Sequence, residues 1–484
     1  MRIDPLGKYR RRDYALLTPG QRCLYVETKN GKQLFSGKRD VSNALAKLSD
    51  FTCYVGGGLQ QLKHTTGATE WLLKTWRGRD VSMLHVPTGT TVNSLQQSLS
   101  GADDPFLALS TCMDWLEGYG IAPGAISSMA WKLLRAAQAR PVSLGFDPEI
   151  ADRAFFGGRQ EIWQPDTYKN FRSVDIKAAY PTAMAARPIA LSLRSVHIDT
   201  ELDPTVAGLA EADVIVPRSL TYAPLPYRVA RHAIQFPTDD FSGVWTWAEL
   251  AAAKSLGCDV TVTKCWAPRT EYDLFSTWWE IAQTGRSLPH GGDLIAKTIA
   301  NATWGQFSMR GDERGQVHWT DDKGKEPFEV ELPARRIPHV YGLHIAAEIT
   351  ARVRTQLLLE GLYGTNAWII HVDTDGMIIH GDAPAPGNAG EAFGQWRDKD
   401  TMNQVEIRAP QFYRYTKPDD PNRWHYVASG RTPDQAVATF ARHPDTITSI
   451  SFLSRGDVCI PTTSSRDTKA RAALLDQLDH MAAV

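Results

Sequence analysis

The chain has 484 residues, more than one hydrophobic core normally accommodates, so it divides into domains. With 43% hydrophobic and 22% charged residues it has the composition of a folded protein, which excludes a disordered or low-complexity chain. Lys plus Arg total 53 against 54 Asp plus Glu, so bulk charge selects no partner, and only local clusters such as Arg10, Arg11 and Arg12 or Arg335 and Arg336 could meet phosphate. No run of about 18 uncharged apolar residues occurs, and no apolar segment follows the basic residues at the start, so neither a membrane span nor a secretory signal is expected. The six cysteines are scattered without a Cys-x-x-Cys pair, which argues against a zinc site or a disulfide scaffold and predicts a reducing, cytoplasmic setting.

Residues 1–150 mix short strand-like runs (QRCLYVETK, KQLFSG, DVSMLHV) with a helical pattern in PGAISSMAWKLLRAAQA, and read as one α/β unit that closes at the Pro and Gly of ARPVSLGFDPEI. From 171 the pattern predicts a strand (FRSVDI), a helical turn (AAYPTAMAA), a strand (EADVIVP), a helix (TWAELAAAKSLG) stopped by Gly257, a strand (DVTVTKCW), and helices from about 272 to 307. QVHWTDDKGKEPFEVEL reads as a hairpin, residues 341–361 as a long helix, and AWIIHVDTDGMIIHG as strand, tight turn, strand. TKARAALLDQLDHMAAV predicts a last helix with Leu474, Leu475, Leu478 and Met481 on one packing face.

Asp373-Thr374-Asp375-Gly376 joins two apolar runs, and an Asp/Gly turn between strands is by itself an ordinary hairpin. Here Trp368, Ile369, Ile370, Met377, Ile378 and Ile379 make the flanks apolar on both faces, as in a central, buried hairpin. Two like charges there need a cation, and a divalent metal supplies one. Asp175 ends the strand FRSVDI in the same manner. Acids delivered by the tips of neighbouring strands suit a pair of divalent ions that activate a hydroxyl and stabilise a leaving group. In KTIANATWGQFS, Lys297, Asn301, Trp304 and Ser308 recur at i, i+4, i+7 and i+11, which predicts one helical stripe. The bland reading is a solvated amphipathic helix. The combination of cation, amide and flat aromatic instead suits a nucleoside triphosphate, with Arg286 as a second cation ahead of the helix.

These stretches resemble the motifs of family B DNA polymerases. DIKAAYPT resembles motif A (Asp-x-x-Ser-Leu-Tyr-Pro-Ser), KTIANATWG motif B (Lys-x-x-x-Asn-x-x-Tyr-Gly) and HVDTDG motif C (Tyr-x-Asp-Thr-Asp-Ser), in that order. The resemblance covers about 155–430 and implies a right-hand fold of α/β (α+β) class with palm, fingers and thumb. It divides the chain into an N-terminal domain (1–150), a first palm part (151–271), fingers (272–310), a second palm part (311–405) and a thumb (406–484). It implies catalysis by Asp175, Asp373 and Asp375, with two Mg²⁺ or Mn²⁺ ions held by Asp175, Asp375 and the backbone carbonyl of Ile176. Tyr180 would lie under the incoming sugar and exclude a 2′-hydroxyl, Arg286 and Lys297 would bind triphosphate, and Asn301 and Trp304 would line the nascent base pair. FFGGRQE resembles the Tyr-x-Gly-Gly segment of the protein-primed and organellar-plasmid branch, placing Gly157 and Gly158 against template phosphates. APQFYRY resembles the Lys-x-Tyr segment at the primer terminus, with Tyr413 kept but Gln411 at the Lys position, so that Arg414, Lys417 or Arg431 would have to substitute. Trp304, His371 and Gly376 also depart from the pattern, and His371 is expected to be a satisfied structural histidine.

The family usually carries a proofreading exonuclease of RNase H-like fold ahead of the palm. CLYVETK resembles its first motif, but Tyr25 stands at the Asp position and only Glu27 remains; Asp114 is a weak candidate for a further acid. A single acid cannot hold two ions, so a shortened domain without proofreading is expected. The chain is thus expected to be a monomeric DNA-directed DNA polymerase acting on template DNA, a primer 3′-end and dNTPs. A priming protein is one candidate source of the hydroxyl. A primer-independent priming polymerase and a catalytically silent nucleic-acid-binding subunit are the alternatives.

Overall fold

The computed structural model describes residues 105–121, 126–137, 146–163, 166–230, 233–308 and 342–428, with the short segments 13–18, 23–28, 31–36, 51–55, 81–84, 316–319, 328–331, 436–437, 440–441 and 458–459. The expected last helix, the arginine clusters at 10–12 and 335–336, and Arg431 lie outside them. Two compact units result, one drawn from 1–139, 277–303 and 430–436, the other from 140–276, 304–429 and 437–484. Among the described residues no helix is long and apolar enough to cross a membrane.

In the first unit Asp13–Thr18 is the middle strand of five. It runs antiparallel to Cys23–Thr28, which pairs antiparallel with Gly31–Ser36, and parallel to Phe51–Val55, itself parallel to Val81–Leu84. The sheet is mixed, with antiparallel neighbours on one side of Asp13–Thr18 and parallel neighbours on the other. CLYVETK falls on the second strand rather than the central one, with Glu27 opposite Tyr14 and Lys32. Asp114 is exposed on the helix Pro105–Gly118. The helix Gly292–Ala302 packs against Pro105–Gly118 and Ile126–Ala137, burying Ile295, Ala296 and Ile299.

The second unit holds a seven-stranded antiparallel sheet. Its strands are β1 (Arg159–Ile162), β2 (Thr167–Ile176), β3 (Ile369–Thr374), β4 (Gly376–His380), β5 (Trp396–Ala409), β6 (Phe412–Lys417) and β7 (Asp420–Ala428), in the order β7-β6-β5-β2-β4-β3-β1. β2, which carries Asp175, and the β3–β4 hairpin, which carries Asp373 and Asp375, therefore sit side by side near the middle. Period-2 alternation sends Val174 and Ile176 to one face and Phe171 to the other, and both faces are covered. Trp368 departs from the expected burial: it is 60% exposed and stacks on His380. The border expected at 405/406 falls inside β5, whose pairing with β2 runs on to Glu406 opposite Thr167, so the sheet continues through Ala428.

A second antiparallel sheet orders Asp239–Thr246, Leu209–Val216, Asp259–Tyr272 and Ile189–Val196. The helix Leu343–Gln356 is buried on every side through Arg354, its charged Glu348, Arg352 and Arg354 held by buried ion pairs. Val353 and Leu357 join the core beneath the seven-stranded sheet with Val174, Val372, Met377 and Trp396, while Ala347 joins that of the four-stranded sheet with Leu193, Val244 and Trp266. Each fully buried large aliphatic side chain here contributes about 1.5–3 kcal/mol. The expected hairpin forms between Gln316–Trp319 and Phe328–Glu331.

Candidate active site

The sheet register brings the opening and closing motifs together. Gly376 is the direct partner of Asp175, Asp373 pairs with Gly376 across the β3–β4 turn, and the Ile176 N–H donates to the Asp375 carbonyl at 2.9 Å. The three carboxylates, 200 positions apart in sequence at the extremes, thus share one end of three adjacent strands and are all half-buried. Gly376 is required by this contact: a Cβ there would stand 2.8 Å from the Val174 carbonyl, which explains why the usual Ser is absent. Thr374 takes a left-handed conformation (φ 62°), a costly state for a β-branched residue, and its hydroxyl donates to Asp373 Oδ1 at 3.0 Å.

FFGGRQE is built into the same corner. β1 is the edge strand, with Arg159 opposite Thr374 and Gln160 opposite Asp373. A Cβ on Gly158 would lie 2.7 Å from Thr374 Cγ2, so only glycine lets the segment cross the acidic turn. Gly157 is held by its carbonyl, which accepts from Arg354 Nη1 at 2.7 Å; the same nitrogen donates to the Phe156 carbonyl at 2.6 Å. Arg354 is buried and paired with buried Glu249, Nη2 to Oε1 at 2.7 Å. Glu249 also closes the capping box with Thr246 at the start of the helix Trp247–Ser255. One ionic network thereby links two helices to the glycine segment.

Ala178, in the left-handed region, turns the chain out of β2 into the short helix Ala179–Ala185, which presents Tyr180. The Tyr180 ring stacks on Trp304, with centroids 5.0 Å apart and planes 15° from parallel. Burial raises the Tyr180 hydroxyl pKa first, followed by the charges of Asp375 and Asp373, with Arg354 opposing. Negative potential is therefore concentrated where the acids converge. Lys297 and Asn301 lie exposed one turn apart on Gly292–Ala302 in the first unit, and Arg286 follows directly on the helix Ser276–Gly285. The single stripe expected from 297 to 308 is broken, because the α-helix ends at Ala302 and Trp304 stands in a 3₁₀ turn belonging to the second unit.

Around Asp373 the departures from the family pattern interlock. The Gln411 side-chain amide donates to Asp373 Oδ1, and the Gln411 backbone N–H donates to His371 Nε2 at 3.2 Å. His371 must accept that bond as a neutral ring, and burial holds its pKa down to about 4. It is a satisfied structural histidine, packed at 5.3 Å against Tyr413. Tyr413 is pushed up by burial and then by Asp373. Lys417 pairs with Asp400 at 3.1 Å, and Arg414 is held by Glu406 and lies over Trp424 at 4.2 Å. Both cations are thus engaged within the sheet.

The sequence reading missed Arg397, which lies opposite Asp175 on β5 and donates through Nε to Oδ1 at 2.8 Å, with Lys399 Nζ 3.8 Å from Oδ2. Its only signal was the charge-rich stretch RDKD in a strand. Hard carboxylate oxygens from adjacent strands, beside a tyrosine whose pKa their charge raises, fit a divalent cation in chemical type. Among the described residues no group of three or more His, Cys, Asp or Glu side chains is already gathered around one point.

Residues 143–331 match the family model for DNA polymerase type B, organellar and viral, a span that includes Asp175, Tyr180, Lys297 and Trp304 and stops short of Asp373 and Asp375. No curated protein matches the sequence. Among solved structures, Phi29 DNA polymerase in an orthorhombic crystal form superposes with a TM-score of 0.58 at 11% identity, covering 89% of this chain and 94% of that one. Phi29 DNA polymerase complexed with single-stranded DNA gives 0.59 at 12% identity over 89% and 94%. Its ternary complex with primer-template DNA and incoming nucleotide gives 0.57 at 11% identity over 88% and 93%. The fold is the right hand of palm, fingers and thumb, and residues 143–331 within it are similar to the organellar and viral type B DNA polymerases.

Proposed function

We infer that the enzyme extends a 3′-hydroxyl with dNTPs under the direction of a DNA template, with Asp175 and Asp375 as the principal acids. The observation that carries this reading is the register that sets Asp175 against Gly376 and bonds Ile176 N–H to the Asp375 carbonyl. Asp175, Asp375 and the Ile176 carbonyl would hold two Mg²⁺ or Mn²⁺ ions, which when bound lower the pKa of the attacking hydroxyl and offset charge on the leaving pyrophosphate. Asp373, braced by Thr374 and Gln411, orients the turn. Tyr180, which stacks face to face on Trp304, would lie under the sugar and exclude a 2′-hydroxyl, and Asn301 and Trp304 would line the base. Lys297 and Arg286 would take the triphosphate. Gly157 and Gly158 would let template phosphates approach, and Tyr413 and Lys417 would border the primer end. The Phi29 enzyme's complexes with primer-template DNA and nucleotide support these partner classes.

With Glu27 as the only acid recognised in the exonuclease-like motif, the enzyme is inferred to lack proofreading. A monomer in the cytoplasm of a host cell is the accompanying expectation. A priming protein and primer-independent initiation are the two candidate sources of the first hydroxyl. Gln411 favours the second: an amide already bonded to Asp373 takes the place of the cation that grips a primer. Extension of a labelled primer-template, with dNTPs or NTPs and with or without Mg²⁺, tests the reading. Asp375→Asn should abolish incorporation while sparing DNA binding, and undiminished synthesis would overturn the assignment. Incorporation on a circular single strand without primer distinguishes the priming mode.

A further inference from the structure

Asp175 already carries a resident countercharge. Arg397 lies directly across β5 from it, with Nε 2.8 Å from Oδ1 and Nη2 3.5 Å from Oδ2. Lys399 is the residue skipped where the register shifts between Asp398 and Asp400, and this bulge leaves its ammonium 3.8 Å from Oδ2. The pair is not a loose surface contact, since the side chains are only 30% and 18% exposed. The carboxylate oxygens that face Arg397 are those a divalent ion would need. A guanidinium in that position and a dication cannot share them without strong like-charge repulsion.

We propose that Arg397 is an exchangeable gate on Asp175, neutralising it in the metal-free enzyme and moving off when a divalent ion enters, so that Arg397 sets the metal concentration at which the site fills. This rests on the assignment of Asp175 as a metal-binding acid. Asp375 and Glu391 also act electrostatically on Arg397, so the displaced guanidinium keeps acidic neighbours. Lys399, more exposed and more distant, has the weaker effect.

The test is Mn²⁺ binding to the full chain without DNA or nucleotide, followed by the electron paramagnetic resonance of the free ion. Arg397→Ala should tighten binding about tenfold, the scale of one partly exposed ionic interaction. Arg397→Lys should fall between, and Asp175→Asn should remove the site. Thermal unfolding with and without Mn²⁺ gives a second readout: the ion should stabilise Arg397→Ala more than the parent. Unchanged or weaker Mn²⁺ binding by Arg397→Ala, with Asp175→Asn still abolishing it, overturns the gate alone. Unchanged binding by Asp175→Asn overturns the metal assignment beneath it.

Discussion

Gly158 passes so close to Thr374 that a methyl group on it would stand 2.7 Å from Thr374 Cγ2 and 3.1 Å from Thr374 Cα. The second distance involves backbone, so a rotamer change alone cannot relieve the clash. Gly158→Ala should cost about 1–3 kcal/mol by overpacking and displace the turn that carries Asp373 and Asp375. Incorporation should fall at least tenfold, measured by single-turnover extension at saturating DNA. Thr374→Ser removes the nearer contact, and combined with Gly158→Ala it should recover part of the loss. Full activity in Gly158→Ala would show that the turn is not held by this contact.

The Tyr180–Trp304 stack yields a prediction about sugar choice. Trp304 fixes the ring plane of Tyr180, so the two should act as a unit and their effects should not add. Tyr180→Ala opens space beneath the sugar and should raise the ratio of ribonucleotide to deoxyribonucleotide kcat/KM by about tenfold or more. Trp304→Ala should raise the same ratio less, with a larger rise in dNTP KM. Equal discrimination in all three proteins would remove Tyr180 from the sugar pocket.

Arg354 and Glu249 are both only 3% exposed, and the guanidinium also serves the Phe156 and Gly157 carbonyls. Glu249→Gln leaves a buried cation without its counter-ion and should destabilise the second unit by about 3–5 kcal/mol. Adding Arg354→Met removes that orphaned charge and should recover part of the stability. Arg354→Lys cannot reproduce the forked contacts and should not substitute. Urea unfolding followed by tryptophan fluorescence measures all three.

Much of this site was legible from local pattern. FRSVDI and WIIHVDTDGMII alternate or saturate in apolar residues as central strands do, and their acids stand at strand tips, so the convergence of Asp175 and Asp375 followed from period and motif order. His371 was likewise anticipated as structural. What stayed hidden depends on register and close approach, which leave no periodic trace. Arg397 meets Asp175 only because β5 pairs with β2 in one particular register 222 positions away. Gln411 looked like a lost cation until its amide was seen on Asp373. The stripe from Lys297 to Ser308 failed for a local reason: helical spacing was extended past Ala302, where the α-helix gives way to a tighter turn in a different unit.

His344 and His371 make stability depend on pH in one direction. Both are buried and held near 4, below the ordinary 6.5, chiefly by desolvation; His344 Nε2 is also bonded to the Ala190 carbonyl at 3.1 Å. At pH 7 both are neutral in the folded chain. Between pH 6.5 and 4 the unfolded chain takes up protons that the folded chain refuses, so stability is complete above 6.5 and is lost as the pH falls through that window. For His344 the full shift is worth roughly 3 kcal/mol. The urea midpoint should drop between pH 7 and 5, and His344→Gln, which cannot be protonated, should show a shallower drop despite a lower starting stability. Parallel curves for the two proteins would mean that His344 is protonated in the folded chain as readily as in the unfolded one.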